Sequence, residues 1–283
     1  MRYGVHVQNS DRFGDPRILV EMAQDAESAG WDGFFLWDHL VYSKNPVVPV
    51  TDPWVTLAAI AATTRHISLG TMVTPLARRR PWIVARETVA LDVLSEGRLI
   101  LGVGLGDPVA LEFSAFGEDG DTRLRAAKLD EALEIVTGLW TGQPFRYDGT
   151  HYTVNETTFL PQPVQTPRIP IWVAGEWPNK PPFRRAARWD GMFPSVRGLS
   201  VDEMMSPHDL RQIVQFTREQ RKPDEPFDVA LGGYTPAGDH ENAVAIVDAY
   251  VDAGMTWWLE GLNVVRSSFE DCRTRIRVGP PKR

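Results

Sequence analysis

The chain has 283 residues, of which 43% are hydrophobic and 24% are charged, and its formal net charge is −7. This is the composition of an ordinary globular protein, and the acidic balance argues against a nucleic-acid partner. The single cysteine, Cys272, excludes an intramolecular disulfide and a cysteine-based zinc site. Because the sequence shows neither the apolar segment of a signal peptide nor an apolar run of membrane-spanning length, we expect a cytoplasmic protein without a membrane partner.

Eight short apolar segments alternate with helical patterns along the chain. Most of them are continuous apolar runs, which are typical of parallel strands buried on both faces. They span residues 3–7, 34–37, 67–73, 99–103, 169–174, 192–194, 227–231 and 256–259. This alternation predicts an α/β fold, a (β/α)8 barrel that forms a single domain over residues 1–277, followed by a flexible tail at 278–283.

The helices between these segments have recognisable boundaries. Three N-cap side chains each precede a proline at the first helical position: Asp15, Asp52 and Ser206. Three glycines are expected to end helices in the left-handed conformation: Gly30, Gly97 and Gly254. One segment departs from the alternation, since Asp148-Gly149 lies between two aromatic-rich runs and predicts an extra β-hairpin before the fifth strand.

The residues that follow the strands are the candidates for chemistry, because the active site of such a barrel lies at the carboxyl ends of its strands. The second strand ends in Trp37-Asp38-His39, and a carboxylate beside a histidine can orient and tune the imidazole for proton transfer. The alternative is a histidine that only caps a loop. The fourth strand ends in Gly104-Leu105-Gly106-Asp107, which adds a second titratable group. Its glycines allow close approach of the backbone to another group, or simply a tight turn.

A loop with glycine follows the fifth predicted strand and leads into a helix. It contains Gly175, Glu176, Trp177 and Lys180, and the helix beyond it, which is expected to open at the Pro-Pro pair at 181–182, carries Arg184. A helix N-terminus with cations nearby predicts a phosphate-binding site, whereas surface salt bridges are the alternative for the arginines further along.

Other kinds of site have little support in the sequence. The six histidines are scattered without the spacing of a metal site, and no Gly-x-Ser-x-Gly motif occurs. The run Arg78-Arg79-Arg80 is interpreted as a solvated loop before a helix, with contact to an anionic ligand as the alternative. A mouth rich in tryptophan, methionine and small residues, with few acids, favours a planar aromatic cofactor over hydrolysis.

Several of these segments also match a known family. The matching motifs are AGWD at 29–32, WDH at 37–39, LGTMVT at 69–74, LDVLSEGR at 91–98, GVGLG at 102–106 and PIWVAG at 170–175. On these motifs the chain resembles the bacterial luciferase-like superfamily of flavin-dependent oxidoreductases. Members of that superfamily are (β/α)8 barrels that bind FMN or the deazaflavin coenzyme F420.

The resemblance implies roles for particular residues. The cofactor is held without a covalent bond, and its ring lies against the end of the third strand at Thr71, Met72 and Val73, with a cis peptide bond between Met72 and Val73. Trp37 and the pair Asp38 and His39 contact the ring, and Asp107 stands where some deazaflavin dehydrogenases carry a glutamate that acts as an acid. The tail and phosphate of the cofactor match the two glycine-containing loops: Gly104, Leu105, Gly106, Gly175, Glu176, Trp177, Lys180 and Arg184.

The two cofactors imply two reactions on a small organic substrate. With FMN, the main prediction is a monooxygenase that uses reduced flavin and O2, fed by a separate reductase, with His39 assisting proton transfer. With F420, the alternative is a dehydrogenase or reductase that transfers a hydride. An alternative of another class is a flavin-binding protein without turnover. Dimers are frequent in the family, so a homodimer is expected.

Overall fold

The strands form one closed barrel and one separate hairpin. The computed structural model describes residues 1–200, 203–222 and 225–282. In chain order its strands are β1 (Arg2–Val7), β2 (Gly33–Leu36), β3 (Ser68–Pro75), β4 (Leu99–Gly104), β5 (Phe145–Asp148), β6 (Thr153–Thr157), β7 (Ile171–Trp177), β8 (Gly191–Val196), β9 (Asp228–Gly233) and β10 (Trp257–Leu262). All except β5 and β6 are parallel members of the barrel, which β1 and β10 close. The predicted (β/α)8 fold is confirmed.

The three N-caps and three terminating glycines predicted from the sequence are found at helix ends in the structure. They are α1 (Pro16–Ser28), α2 (Pro53–Thr63), α3 (Pro81–Leu94), α4 (Val109–Glu112), α5 (Thr122–Trp140), α6 (Lys180–Ala186), α7 (Pro207–Arg218), α8 (His240–Val251) and α9 (Phe269–Val278). The side chains of Asp15, Asp52 and Ser206 each accept a backbone N–H in the first turn of their helix. The predicted terminating glycines have positive φ angles of 84°, 82° and 101° at Gly30, Gly97 and Gly254.

The predicted hairpin lies against the outside of the barrel. β5 and β6 pair with each other in antiparallel fashion and with no barrel strand. Glu131 of α5 accepts the backbone N–H groups of Thr150, His151 and Tyr152, and Glu134 accepts the hydroxyl of Tyr147. The hairpin is therefore fastened to α5 by two carboxylates.

Large side chains fill the interior of the barrel. The rings of Phe35 from β2, Trp172 from β7 and Trp257 from β10 contact one another, with centroid distances of 5.2 to 5.9 Å. Met72, Ile100, Ala230 and Leu259 complete this inner cluster. Because the interior is packed, ligands have space only beyond it, at the ends of the strands.

The LDVLSEGR motif lies at the amino end of the barrel. Arg98 donates hydrogen bonds to the backbone carbonyls of Ala61, Thr64, Ile67 and Ser95, which join the end of α2, the start of β3 and the end of α3. Asp92 of the same motif is buried and accepts the backbone N–H groups of Val164 and Gln165 at 2.7 and 3.1 Å. The motif that carries much of the family resemblance thus has a structural role.

The outer face of α2 and α3 is unusually apolar. Val55 on α2 is 71% exposed, and Ile83, Val93 and Leu94 on α3 are each more than 40% exposed. A helix that is apolar on all sides is normally covered. No helix among the described residues is long and apolar enough to cross a membrane.

The predicted flexible tail stays a prediction. In the structure the ammonium group of Lys282 donates to the carbonyl of Gly30 at 2.9 Å, and Pro281 is buried. Arg283 lies outside the described residues.

Replacing Arg98 by methionine tests the structural role of the motif. We expect Arg98→Met to lower the free energy of unfolding by about 2–4 kcal/mol, because four backbone carbonyls lose a charged donor. The exposed side chain of Arg65 provides the control, and Arg65→Met should change stability by less than about 0.5 kcal/mol. Urea denaturation of both variants measures the difference, and equal losses would contradict the assignment.

Candidate functional site

Two adjoining cavities open at the carboxyl ends of the barrel strands. Their volumes are about 230 and 300 Å³, and both are lined by His6 and Trp37. The smaller one is also lined by Asp38, His39, Met72, Val73, Pro75, Gly106 and Asp107. The larger one is bounded mainly by the ends of β8, β9 and β10 and includes Glu176, Phe193, Tyr234 and Asn263. Together they reach the size range of small-molecule and cofactor sites.

A third and larger cavity, of about 490 Å³, lies between α8, α9 and the loop after β9. Its buried charged groups are Glu260 and Arg275, which pair at 3.3 Å and share Thr235 as a hydrogen-bond partner. These groups fasten α9 to the barrel, so we place the functional site at the other two cavities.

The end of β3 forms one wall of the smaller cavity. The pairing register with β4 shifts between Thr71 and Thr74, and the peptide bond between Met72 and Val73 is cis, as the resemblance implies. A Cβ atom on Gly102 would lie 2.8 Å from the sulfur of Met72. One on Gly104 would lie 2.5 Å from Cγ2 of Val73. The glycines of β4 therefore make room for the bulge of β3.

His6 is a site residue that sequence reasoning missed. Its Nε2 donates to the carbonyl of Met72 at 2.9 Å, and its ring contacts the rings of Trp37 and Phe193. Burial lowers the pKa of His6 to about 4, so the ring is neutral at neutral pH. The available signal was a polar residue in an apolar strand, close to the carboxyl end of β1.

Two of the three arginines after β3 pair with a buried carboxylate, whereas Arg80 is exposed. Nη2 of Arg78 lies 2.6 Å from Oδ1 of Asp38, and Nη2 of Arg79 lies 3.0 Å from both carboxylate oxygens. The Arg78 side chain is only 3% exposed. The predicted solvated loop is wrong for Arg78 and Arg79, because the buried carboxylate of Asp38 requires compensating charge.

His39 has a different carboxylate partner from the one predicted. Its Nδ1 lies 3.1 Å from Oε1 of Glu112, whereas the carboxylate of Asp38 faces the two arginines. Glu112 is 1% exposed, forms an ion pair with Arg78 and accepts the backbone N–H of Leu40. Desolvation, followed by the charge of Arg78, lowers the pKa of His39. Sequence analysis missed Glu112 because it lies 73 residues away from His39.

Only some of the other predicted site residues line the two cavities. Gly106 and Asp107 share the smaller cavity with His39, and Glu176 lines the larger one, where it pairs with Arg197 at 3.1 Å. The remaining ones do not line either cavity: Thr71, Gly104, Leu105, Gly175, Trp177, Lys180 and Arg184.

The segment predicted to bind phosphate begins a helix of seven residues, α6. Lys180 is exposed and lies over the ring of Phe216, with its Nζ 5.4 Å from the centroid, and Arg184 is exposed. Arg185 and Arg188 both pair with Asp130 at 2.7 Å, which confirms the salt-bridge alternative for these two. The role of the segment in cofactor binding stays a prediction.

The residues present fit a planar, hydrogen-bonding ring. Trp37, Met72, Val73 and Pro75 supply apolar walls to the smaller cavity. The indole Nε1 of Trp37 is buried and has no hydrogen-bond partner among the described residues. A buried donor without a partner is costly, and the carbonyl or ring nitrogen of a flavin or deazaflavin would satisfy it. Among the described residues no cluster of His, Cys, Asp and Glu has a composition suited to a metal ion.

The chain is a closed (β/α)8 barrel whose mouth combines apolar walls with the pair formed by His39 and the buried carboxylate of Glu112. Residues 2–276 match the model of the luciferase-like monooxygenase family, and the chain belongs to that family. The resemblance drawn from the motifs is thereby confirmed.

Named relatives are similar to this chain in sequence, and a solved structure is similar to it in fold. The F420-dependent glucose-6-phosphate dehydrogenase of Microbacterium testaceum is 35% identical over 63% of this chain, and the match spans about half, 52%, of that protein. Its namesake from Nakamurella multipartita is 30% identical over 82% of this chain and 73% of its own. The structure of the coenzyme F420-dependent tetrahydromethanopterin reductase from Methanopyrus kandleri superposes with a TM-score of 0.77 at 17% identity, covering 98% and 96% of the two chains.

The depressed pKa of His6 makes stability depend on pH. Between about pH 6.5 and 4 the unfolded chain binds the proton of His6 and the folded chain does not, so the free energy of unfolding falls as the pH falls. Because the pKa of His6 falls from 6.5 to about 4 on folding, the free energy of unfolding at pH 4 should be about 3 kcal/mol lower than at neutral pH. His6→Gln keeps a donor for Met72 and should unfold with a shallower pH dependence. Urea denaturation at pH 7 and pH 4.5 measures the free energy of unfolding of the wild type and of His6→Gln. If both lose the same free energy between these pH values, His6 is not the group responsible.

Proposed function

We propose that the protein is an F420-dependent oxidoreductase that transfers a hydride to or from the carbon of a small alcohol or carbonyl compound. The observation that carries the proposal is His39, which lines the smaller cavity beside Asp107 and has a lowered pKa. The relatives named above are F420-dependent dehydrogenases, which favours this alternative over the flavin monooxygenase that the sequence placed first.

The smaller cavity would hold the ring of the cofactor. Trp37, Met72 and Val73 would contact it, and the unpaired Nε1 of Trp37 would donate to it. When bound, the deazaflavin accepts or supplies the hydride. The larger cavity shares His6 and Trp37 with the first, so a substrate placed there lies next to the ring position.

His39 would move the proton that accompanies the hydride. Because its pKa is lowered by desolvation and by Arg78, the imidazole is neutral at neutral pH and can accept a proton. With an alcohol as substrate, the imidazole of His39 would accept the O–H proton, while the bound cofactor would take up the hydride from the same carbon. In the reverse reaction the imidazolium returns that proton to the carbonyl oxygen.

Glucose 6-phosphate is the first substrate to assay, because the named relatives act on it. Simple secondary alcohols come next, since the larger cavity is walled by Phe193, Leu199, Met205 and Tyr234. The family resemblance also implies a separate flavin or F420 reductase as a partner, and with F420 as the cofactor an F420 reductase is part of the proposal.

Titration of the purified protein with F420 and, separately, with FMN tests the cofactor. We expect quenching of cofactor fluorescence with micromolar or tighter affinity for F420 and weaker binding of FMN. Tight binding of FMN alone would restore the monooxygenase prediction. Tight binding of F420 without turnover on any alcohol or carbonyl compound would support a cofactor-binding protein instead of an enzyme.

His39→Asn tests the proton transfer. We expect kcat to fall by about 10²–10⁴-fold while the affinity for F420 stays within a few-fold, because the imidazole serves the chemistry more than the binding. His66→Asn is the control, since His66 is exposed at the start of β3. Unchanged turnover in His39→Asn would remove His39 from the mechanism.

We also propose that a second copy of the chain covers the apolar face of α2 and α3, giving the homodimer expected from the sequence. Val55→Glu together with Ile83→Glu should convert a dimer to a monomer, because both side chains are exposed on that face. Val251→Glu on α8, which is 38% exposed, should leave the assembly unchanged. Sedimentation velocity measures all three proteins, and a monomeric wild type would contradict the proposal.

A further inference from the structure

We propose that Glu112 is the positioning residue of the site: it holds the proton of His39 on Nδ1 and leaves Nε2 as the nitrogen that exchanges a proton with the substrate. The proposal rests on the proposed function for its catalytic consequence. Its structural part, the choice of tautomer, holds for the protein alone.

The carboxylate of Glu112 fixes both the ring and the backbone of the segment it contacts. Oε1 lies 3.1 Å from Nδ1 of His39 and also accepts the backbone N–H of Leu40 at 3.1 Å. Glu112 ends the four-residue helix α4, which follows the loop after β4, whereas His39 follows β2. One buried side chain therefore connects the ends of two strands that are not neighbours in the barrel.

The chemistry of the groups determines the tautomer. Arg78 forms an ion pair with Glu112, which favours the ionised carboxylate. An ionised carboxylate only accepts hydrogen bonds, so Nδ1 of His39 is the donor. In a neutral imidazole the other nitrogen, Nε2, then carries the lone pair. Asp38 does not supply this constraint, because its carboxylate accepts from Arg78 and Arg79.

Titratable and charged groups from four parts of the barrel face His39. Asp38 and Tyr42 lie on its own segment, Arg78 follows β3, Asp107 follows β4 and His6 lies on β1. His6 and Tyr42 are neutral at neutral pH, because the pKa of His6 is lowered and that of Tyr42 is raised by burial. Removal of the negative charge of Glu112 leaves Arg78 less compensated, and a cation beside an imidazole lowers the pKa of the imidazole.

Nitrogen-15 NMR of the histidine rings tests the tautomer without cofactor or substrate. The wild type at pH 8 should show His39 with its proton on Nδ1, and loss of the signal in His39→Asn identifies it. A proton on Nε2, or an equal mixture of both forms, would overturn the proposal even if the enzyme proves to use F420.

Glu112→Gln tests the consequence for catalysis. We expect the pKa of His39 by NMR and the acidic limb of the pH profile of kcat/KM to move to lower pH. We also expect kcat to fall by less than the about 10²–10⁴-fold that loss of a general base costs. Glu112→Asp keeps the charge and should restore the position of the limb in part. A merely structural role would lower stability and leave both pKa readings unchanged.

Glu27→Gln is the matched control. Glu27 is also a carboxylate that accepts backbone N–H groups, those of Arg65, His66 and Ile67, but at the amino end of β3. It should lose stability without a change in the pKa of His39. If no substrate is turned over, the proposed function fails. The tautomer and the pKa of His39 measured by NMR still decide whether Glu112 positions the ring.

Discussion

The mouth of the barrel depends on one buried cluster of charges, formed by Asp38, Glu112, Arg78 and Arg79. Two carboxylates and two guanidinium groups balance one another in a place where a single unpaired charge would cost several kcal/mol. The cluster joins the segments after β2, β3 and β4, and the first and last of these carry His39 and Asp107. Buried ion pairs often stabilise a fold no more than well-packed apolar side chains do. The contacts of this cluster connect the three segments to one another.

Much of the fold is predictable from the sequence because it depends on local patterns. Continuous apolar runs mark the parallel strands, and Asp15, Asp52 and Ser206 mark helix starts through hydrogen bonds to residues two or three positions away. The hairpin at Asp148-Gly149 is equally local. Each of these features is decided by side chains that are close together in the chain.

The site was predictable only in part, because its contacts join distant residues. Placing His39 and Asp107 at the mouth needs only the rule that strand ends form the site. The same rule does not identify the hydrogen-bond partner of His39. The neighbouring position in the sequence suggested Asp38, whereas the actual partner is Glu112 at the end of α4. The burial of Arg78 and Arg79 likewise depends on Asp38, some 40 residues earlier.

The packed interior of the barrel determines the side from which the two cavities can be reached. Phe35, Trp172 and Trp257 leave no passage through the barrel, so both cavities at the mouth are reached from the same side. The two cavities also share the walls formed by His6 and Trp37. A ligand of either cavity therefore approaches and leaves at the carboxyl ends of the strands, past the same two side chains.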